Sequence, residues 1–210
     1  MNKVLLASRN AKKLTELRRV VAAAGLGGLE VVGLDDVPEY PEEPETGATF
    51  EENALIKARS GALATGLPCV ADDSGISVDA LNGMPGVLSA RWSGVHGDDE
   101  ANNRLLLAQV NDVPDERRGA GFVSACALVT PAGAETVVRG EWRGVLLSEP
   151  KGDNGFGYDP LFAPNDEIAA GRSSAELSAQ EKDALSHRGK ALAQLIPALR
   201  TLGEKQPTAE

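Results

Sequence analysis

KVLLASRNAKKLTELRRVVAAAG, residues 3–25, decides how this chain begins to fold. Lys3 to Ala7 is a short apolar run of strand length, and Ser8, Arg9 and Asn10 then turn it into a second pattern. In that pattern Leu14, Leu17, Val20, Val21 and Ala24 recur at spacings of three and four, the period of one helix face. Asn10 has the chemistry of an N-cap, and Gly25 suits the left-handed position just past a helix end. A buried strand feeding directly into a helix is how an α/β sheet starts.

Working outward, Leu29 to Leu34 reads as a second strand, followed by an acidic, proline-containing loop from Asp35 to Ala48. Thr49 and Glu52 have capping-box spacing, and the helix they open runs to about Gly66 with Phe50, Ala54, Ala58 and Ala62 on one stripe. Pro68 introduces a short strand, Cys69 to Ala71, that ends at Asp72-Asp73-Ser74-Gly75, with another strand near Ile76 to Val78. The glycine-rich stretch Asn82 to Gly97 reads as a loop, and Asp98 or Asp99 caps a helix through Val110. Gly119 to Thr130 and Glu135 to Leu147 form a hairpin around Pro131-Ala132-Gly133, and Glu149 to Pro160 is a second glycine-rich loop. Ser178 and Glu181 make a further capping pair. A last helix spans Ser186 to Leu202, with Pro197 as a kink or early stop, and residues 203–210 form a disordered tail. Strands alternating with helices and then a hairpin predict an α/β fold with a mixed sheet flanked by helices, the hairpin projecting as a second lobe.

The chain has 210 residues with 31 acids against 21 bases, a net charge of −10. Its longest apolar candidate, Val20 to Leu29, falls well short of the roughly 18 residues of a membrane span. No membrane association is expected, and without a leader-like N-terminus the cytoplasm is the expected compartment. Cys69 and Cys126 lie in apolar runs far from any CxxC spacing and read as buried small hydrophobes, which argues against structural zinc. The charge is unevenly spread: residues 30–52 hold nine acids and no base, whereas residues 1–29 hold six bases and one acid. Such an acidic chain does not suit a nucleic-acid partner.

Four segments can carry chemistry. Ser8, Asn10 and Lys13 stand at a strand-to-helix junction, where free N–H groups and the positive helix end favour an anion. Asn10 and Lys13 are three apart and share a face; a merely solvated lysine is the plain alternative. Asp72-Asp73-Ser74-Gly75 ends a buried strand, where adjacent side chains point to opposite faces, so at most one carboxylate reaches a given pocket. An Asx-type turn explains that segment too. Glu45 is a candidate partner for a divalent ion, because Mg²⁺ takes one or two carboxylates plus waters and phosphates. Gly155 to Pro160 sets Phe156 between glycines with Asp159 nearby, suited to a flat ring, although a turn with a core phenylalanine fits equally well. Lys182 with Ser186-His187-Arg188-Gly189 places two planar donors at a helix start, although a surface helix start explains it too. No GxxxxGK[ST] sequence is present, which excludes a Walker-type NTPase.

With these segments in view, the chain resembles the inosine/xanthosine triphosphate pyrophosphatase family, the RdgB-like dITP/XTP diphosphatases. The matching pieces are Ser8 to Lys13, Glu45 to Phe50 with Glu52-Asn-Ala and Lys57-Ala, Ala71 to Gly75, Gly83 to Gly86 with Ser89 to Gly94, Gly155 to Pro160, and Ser186 to Gly189. They follow the family's order over nearly the whole chain. The resemblance implies a single two-lobed domain over residues 1–202, built on an elongated mixed sheet with an active-site cleft between the lobes. It implies a homodimer that uses Mg²⁺ to hydrolyse dITP, ITP and XTP to the monophosphate and pyrophosphate, cleansing the nucleotide pool. Asp73 is then the catalytic proton acceptor and, with Glu45, a metal ligand. Ser8, Asn10 and Lys13 hold the phosphates with Lys57 assisting, and Arg9, Ala11 and Lys12 are substrate-binding residues of the same segment. Ser74, Phe156, Gly157, Tyr158, Asp159, Lys182, His187 and Arg188 attend the rest of the purine nucleoside triphosphate. Arg9 stands where the family often has glycine.

Overall fold

In a computed structural model that describes residues 2–204, the opening segment forms strand β1 (Asn2–Leu6) and helix α1 (Ala11–Ala23). The Asn10 side-chain oxygen accepts the Lys12 N–H at 2.9 Å and so caps α1, while Gly25 follows its end with φ of 71°. Strand β2 (Leu29–Val32) stops short of its expected end, because Leu34–Asp36 tightens into a 3-10 turn in which Asp36 accepts the Gly33 N–H. Helix α2 (Phe50–Thr65) starts as expected at Thr49, whose hydroxyl accepts the Glu52 N–H. The Glu52 carboxylate reaches one residue further back than a capping box requires, to the Ala48 N–H.

The largest departure from the sequence reading is at Asp72-Asp73-Ser74-Gly75. These residues do not turn; they lie inside one ten-residue strand, β3 (Cys69–Val78). Buried carboxylates persist in a strand only when donors meet them, and here Lys13 meets Asp72 and Asn53 meets Asp73. The expected loop Asn82 to Gly97 contains a six-residue 3-10 helix, Gly86–Arg91. Its Ser89 hydroxyl accepts the Ile76 N–H at 3.0 Å and donates to the Gly86 carbonyl at 2.6 Å.

Helix α3 (Asp99–Gln109) is capped by Asp98, which accepts the Ala101 N–H, leaving Asp99 available for other work. Strands β4 (Gly119–Val129) and β5 (Glu135–Leu146) form the hairpin, and β6 (Phe162–Pro164), too short to show any period, pairs antiparallel with β5. The sheet order is β2-β1-β3-β4-β5-β6, with β1 parallel to both β2 and β3. It is the expected mixed α/β sheet. Helix α4 (Ala179–Leu185) starts at a complete Ser178/Glu181 capping box. Helix α5 (His187–Glu204) neither stops at Pro197 nor ends at Leu202. Ala193 and Pro197 are exposed, so water can satisfy the carbonyl that proline leaves without a donor, and buried Leu195 and Leu199 hold the helix to the core. Of the expected disordered tail, Gly203 and Glu204 are therefore helical, and residues 205–210 lie outside the described residues.

The fold divides into two compact units. The first comprises the chain up to Asp73, Ala125–Arg139 and the chain from Ala191; its core joins Val4, Leu6 and Leu17 with Cys126, Leu128, Leu195 and Leu199. The second comprises Ser74–Ser124 and Gly140–Lys190; its core holds Ile76, Leu106, Phe122, Trp142 and Phe162, with Phe162 edge-on to both Phe122 and Trp142. Strands β3, β4 and β5 each run from one unit into the other. The hairpin is therefore not a lobe of its own: its tip belongs to the first unit and its ends to the second. Both cysteines are buried thiols, as expected, and burial pushes the Cys69 thiol up to about 12. Among the described residues no helix is long and apolar enough to cross a membrane.

Candidate active site

In the first unit, the parallel pairing of β1 with β3 sets the start of α1 beside the middle of β3, the Ala7 N–H bonding the Val70 carbonyl at 2.8 Å. From that first turn the Lys13 ammonium reaches the buried Asp72 carboxylate at 2.6 Å. Asp73, the next residue, points to the opposite face of the strand, as strand geometry requires. There it accepts from Asn53 Nδ2 at 2.9 Å. Lys57, one helical turn beyond Asn53 on α2, pairs with Glu45 and holds its ammonium 4.0 Å from Asp73 Oδ1. The acidic loop is tied to α2 by the Gly47 N–H, which donates to Asn53 Oδ1 at 2.8 Å.

The remaining residues of this segment have local roles. Ser8 Oγ accepts the Asn10 N–H at 3.2 Å, and the Asn10 oxygen is used in capping. Ala11 and Lys12 are exposed on the first turn. Arg9 pairs with Glu42 at 2.6 Å on the surface. Each of the cations Arg9, Lys13 and Lys57 thus holds a carboxylate, which keeps the segment electrostatically balanced.

Glu45 and Asp73 could hold a divalent metal ion. They are hard oxygen donors, and the Lys57 ammonium already places one positive charge against both. Among the described residues no group of three or more His, Cys, Asp or Glu could hold a metal alone. Two carboxylates completed by water and phosphate oxygens are the ligand set that Mg²⁺ accepts.

In the second unit, Asp159 is buried and accepts from the Phe156 N–H at 2.9 Å, the Ser174 hydroxyl at 2.8 Å and the Lys182 ammonium. The chain passes over this carboxylate at Gly155, where φ is 85° and a Cβ would strike Asp159 Oδ2. This tight turn throws Phe156 outward, 62% exposed, with the Lys182 ammonium 5.3 Å from its ring centre. Two residues four apart on α3 clamp the Gly157 peptide: Asp99 accepts its N–H at 2.7 Å, and Asn103 donates to its carbonyl at 2.9 Å.

The Tyr158 ring lies in the core and its hydroxyl donates to the Ser89 carbonyl at 2.8 Å; burial raises its hydroxyl above the ordinary tyrosine range. Asp159 likewise faces inward, where it holds Phe156 and Lys182 in place. Ser74 is half-buried on β3, and His187 stacks on Phe122 with ring centres 5.1 Å apart, beside half-buried Arg188 at the start of α5. The sequence reading gave no role to Asn53, Asp99, Asn103 or Ser174. Only Asn53, one turn before Lys57, carries a signal that spacing could have found.

The Ham1 family model matches residues 4–198, a span that contains every candidate site residue named above. The chain belongs to the Ham1 family. It is 68% identical over 205 residues to a dITP/XTP pyrophosphatase from Nocardia farcinica, covering 98% of each chain. A crystal structure of a nucleoside-triphosphatase, dITP/XTP pyrophosphatase from Mycobacterium abscessus matches with TM-score 0.81 at 66% identity, covering 94% of this chain and 99% of that one. A Ham1 protein structure from Coxiella burnetii matches with TM-score 0.85 at 40% identity, covering 96% and 100%. Across the Ham1 family this likeness therefore extends to the fold, not only to short motifs.

Proposed function

We propose that this enzyme hydrolyses dITP, ITP and XTP to the nucleoside monophosphate and pyrophosphate, by attack of water on the α-phosphate, in the cytoplasm and as a homodimer with Mg²⁺. The observation that carries the reading is the grouping of Asp73, Glu45 and Lys57 in the first unit. It supplies a proton acceptor, a second carboxylate and a mobile cation in one place. The dITP/XTP pyrophosphatase names of relatives at 64–68% identity over nearly the full length support it.

In this reading Asp73 accepts the proton of the attacking water as the new phosphorus–oxygen bond forms, and the bond to the bridging oxygen breaks with pyrophosphate leaving. Lys13 and Lys57 turn from Asp72 and Glu45 toward the phosphate oxygens, while Ser8 and Asn10 line the chain's path at the start of α1. Glu45 and Asp73 would hold Mg²⁺, which neutralises phosphate charge and acidifies its bound water. In the second unit the exposed Phe156 ring receives the purine, and Lys182, His187 and Arg188 supply donors for a 6-oxo purine. Adenine presents an amino donor at the same position and leaves those donors facing a donor.

The test is product analysis with ITP, dITP and XTP. Pyrophosphate as the first product is expected, and orthophosphate as the first product refutes the reading. Asp73→Asn should abolish turnover while nucleotide still binds; near-normal turnover removes Asp73 from the role of base.

A further inference from the structure

Asn53 is fully buried near the start of α2, and both ends of its amide are used. Nδ2 donates to Asp73 Oδ2 at 2.9 Å, and Oδ1 accepts the Gly47 N–H at 2.8 Å. Gly47 lies two residues past Glu45 and sits against the helix so closely that a Cβ there would fall 2.7 Å from Asn53 Oδ1 and 3.0 Å from the Asn53 backbone nitrogen. One planar side chain therefore spans the gap between the Glu45 loop and the Asp73 strand. The task needs a donor for a carboxylate and an acceptor for a peptide N–H on one short rigid plane, which is what an asparagine amide provides. A buried amide in a helix is costly unless both ends are satisfied, and here both are.

We propose that Asn53 is a positioning residue for hydrolysis. By holding Asp73 Oδ2 it turns Oδ1 toward the Lys57 side, and by holding Gly47 it sets how far Glu45 stands from Asp73. It touches no reacting atom; it acts through the two carboxylates, and the inference rests on the roles proposed for them above. Partners of this kind change metal affinity or turnover by about 10–100-fold when lost.

Asn53→Asp separates the two bonds, because it keeps the shape and the acceptor for Gly47 but faces Asp73 with an oxygen. With dITP, its kcat should fall on the order of 10–100-fold while KM stays within about threefold. Binding of Mn²⁺, followed by electron paramagnetic resonance with a non-hydrolysable dITP analogue, should weaken roughly tenfold. Wild-type kcat and Mn²⁺ affinity, or a loss confined to KM, overturns the proposal. A readout free of Asn53 variants is the NMR signal of the Asn53 side-chain NH₂ group in the full chain. Its protons should exchange slowly and its resonance should move in Asp73→Asn; fast exchange and an unmoved resonance overturn the proposal. If the wild-type enzyme instead releases no pyrophosphate, the functional reading falls, and the NMR result still decides whether Asn53 holds Asp73.

Discussion

Replacing Asp159 by Asn tests how the second unit holds the turn that carries Phe156. The carboxylate takes three donors, the Phe156 N–H, the Ser174 hydroxyl and the Lys182 ammonium, while being almost fully buried. Asparagine keeps one oxygen for Phe156 or Ser174 and turns an NH₂ group toward a donor. One charge-assisted bond is lost, about 1.5–3 kcal/mol, and Lys182 keeps a charge without its counter-ion. Breaking a buried ion pair costs about 3–5 kcal/mol. The Lys182 side chain is 20% exposed, so water recovers part of that cost and the lower bound applies. About 3 kcal/mol in a protein of this size corresponds to a fall in Tm of roughly 6–12 °C. Adding Lys182→Met removes the stranded charge, and the double variant should regain about 1–2 kcal/mol. The assay is thermal unfolding followed by circular dichroism on the two single variants, the double variant and the wild type, with KM for dITP measured in parallel. KM should rise in Asp159→Asn as the Phe156 turn loosens. A Tm within about 2 °C of wild type, or single-variant losses that simply add, refutes the reasoning.

Other perturbations have equally definite outcomes. Gly75→Ala should destabilise by about 1–3 kcal/mol in urea unfolding, because the new methyl strikes Ser89 Oγ and comes within 2.7 Å of the Gly86 carbonyl. The Arg172 guanidinium first, and then the Ser178 N–H and hydroxyl, hold the Glu181 carboxyl down at about 2. That contribution is complete above the ordinary glutamate value and is lost as pH falls through about 2, so the Tm deficit of Glu181→Gln should be present at pH 7 and gone below pH 2. Cys69, raised to about 12 by burial, should ignore a disulfide reagent at pH 8 in the native protein and react at once on unfolding. Chelation with EDTA should stop pyrophosphate release from dITP, and added Mg²⁺ should restore it; turnover that persists in EDTA contradicts the proposed use of Glu45 and Asp73.

The sequence by itself determined the elements whose signals are local. The α1 stripe, the Asn10 cap, the Thr49 start of α2 and the Ser178 capping box all depend on residues within a turn or two of each other. It also indicated, through six ordered segments, the family to which the chain belongs. Tertiary structure alone decided what depends on distant partners. Asp72-Asp73-Ser74-Gly75 reads as a turn because buried acids are unfavourable in an isolated strand, and it becomes strand because Lys13 and Asn53 arrive from α1 and α2. Tyr158 reads as a ligand residue beside Phe156, yet its hydroxyl finds the Ser89 carbonyl in the core. Pro197 reads as a kink or early stop, and core contacts on either side of it carry the helix through. In each case a long-range contact of a few kcal/mol outweighs a local preference of similar or smaller size.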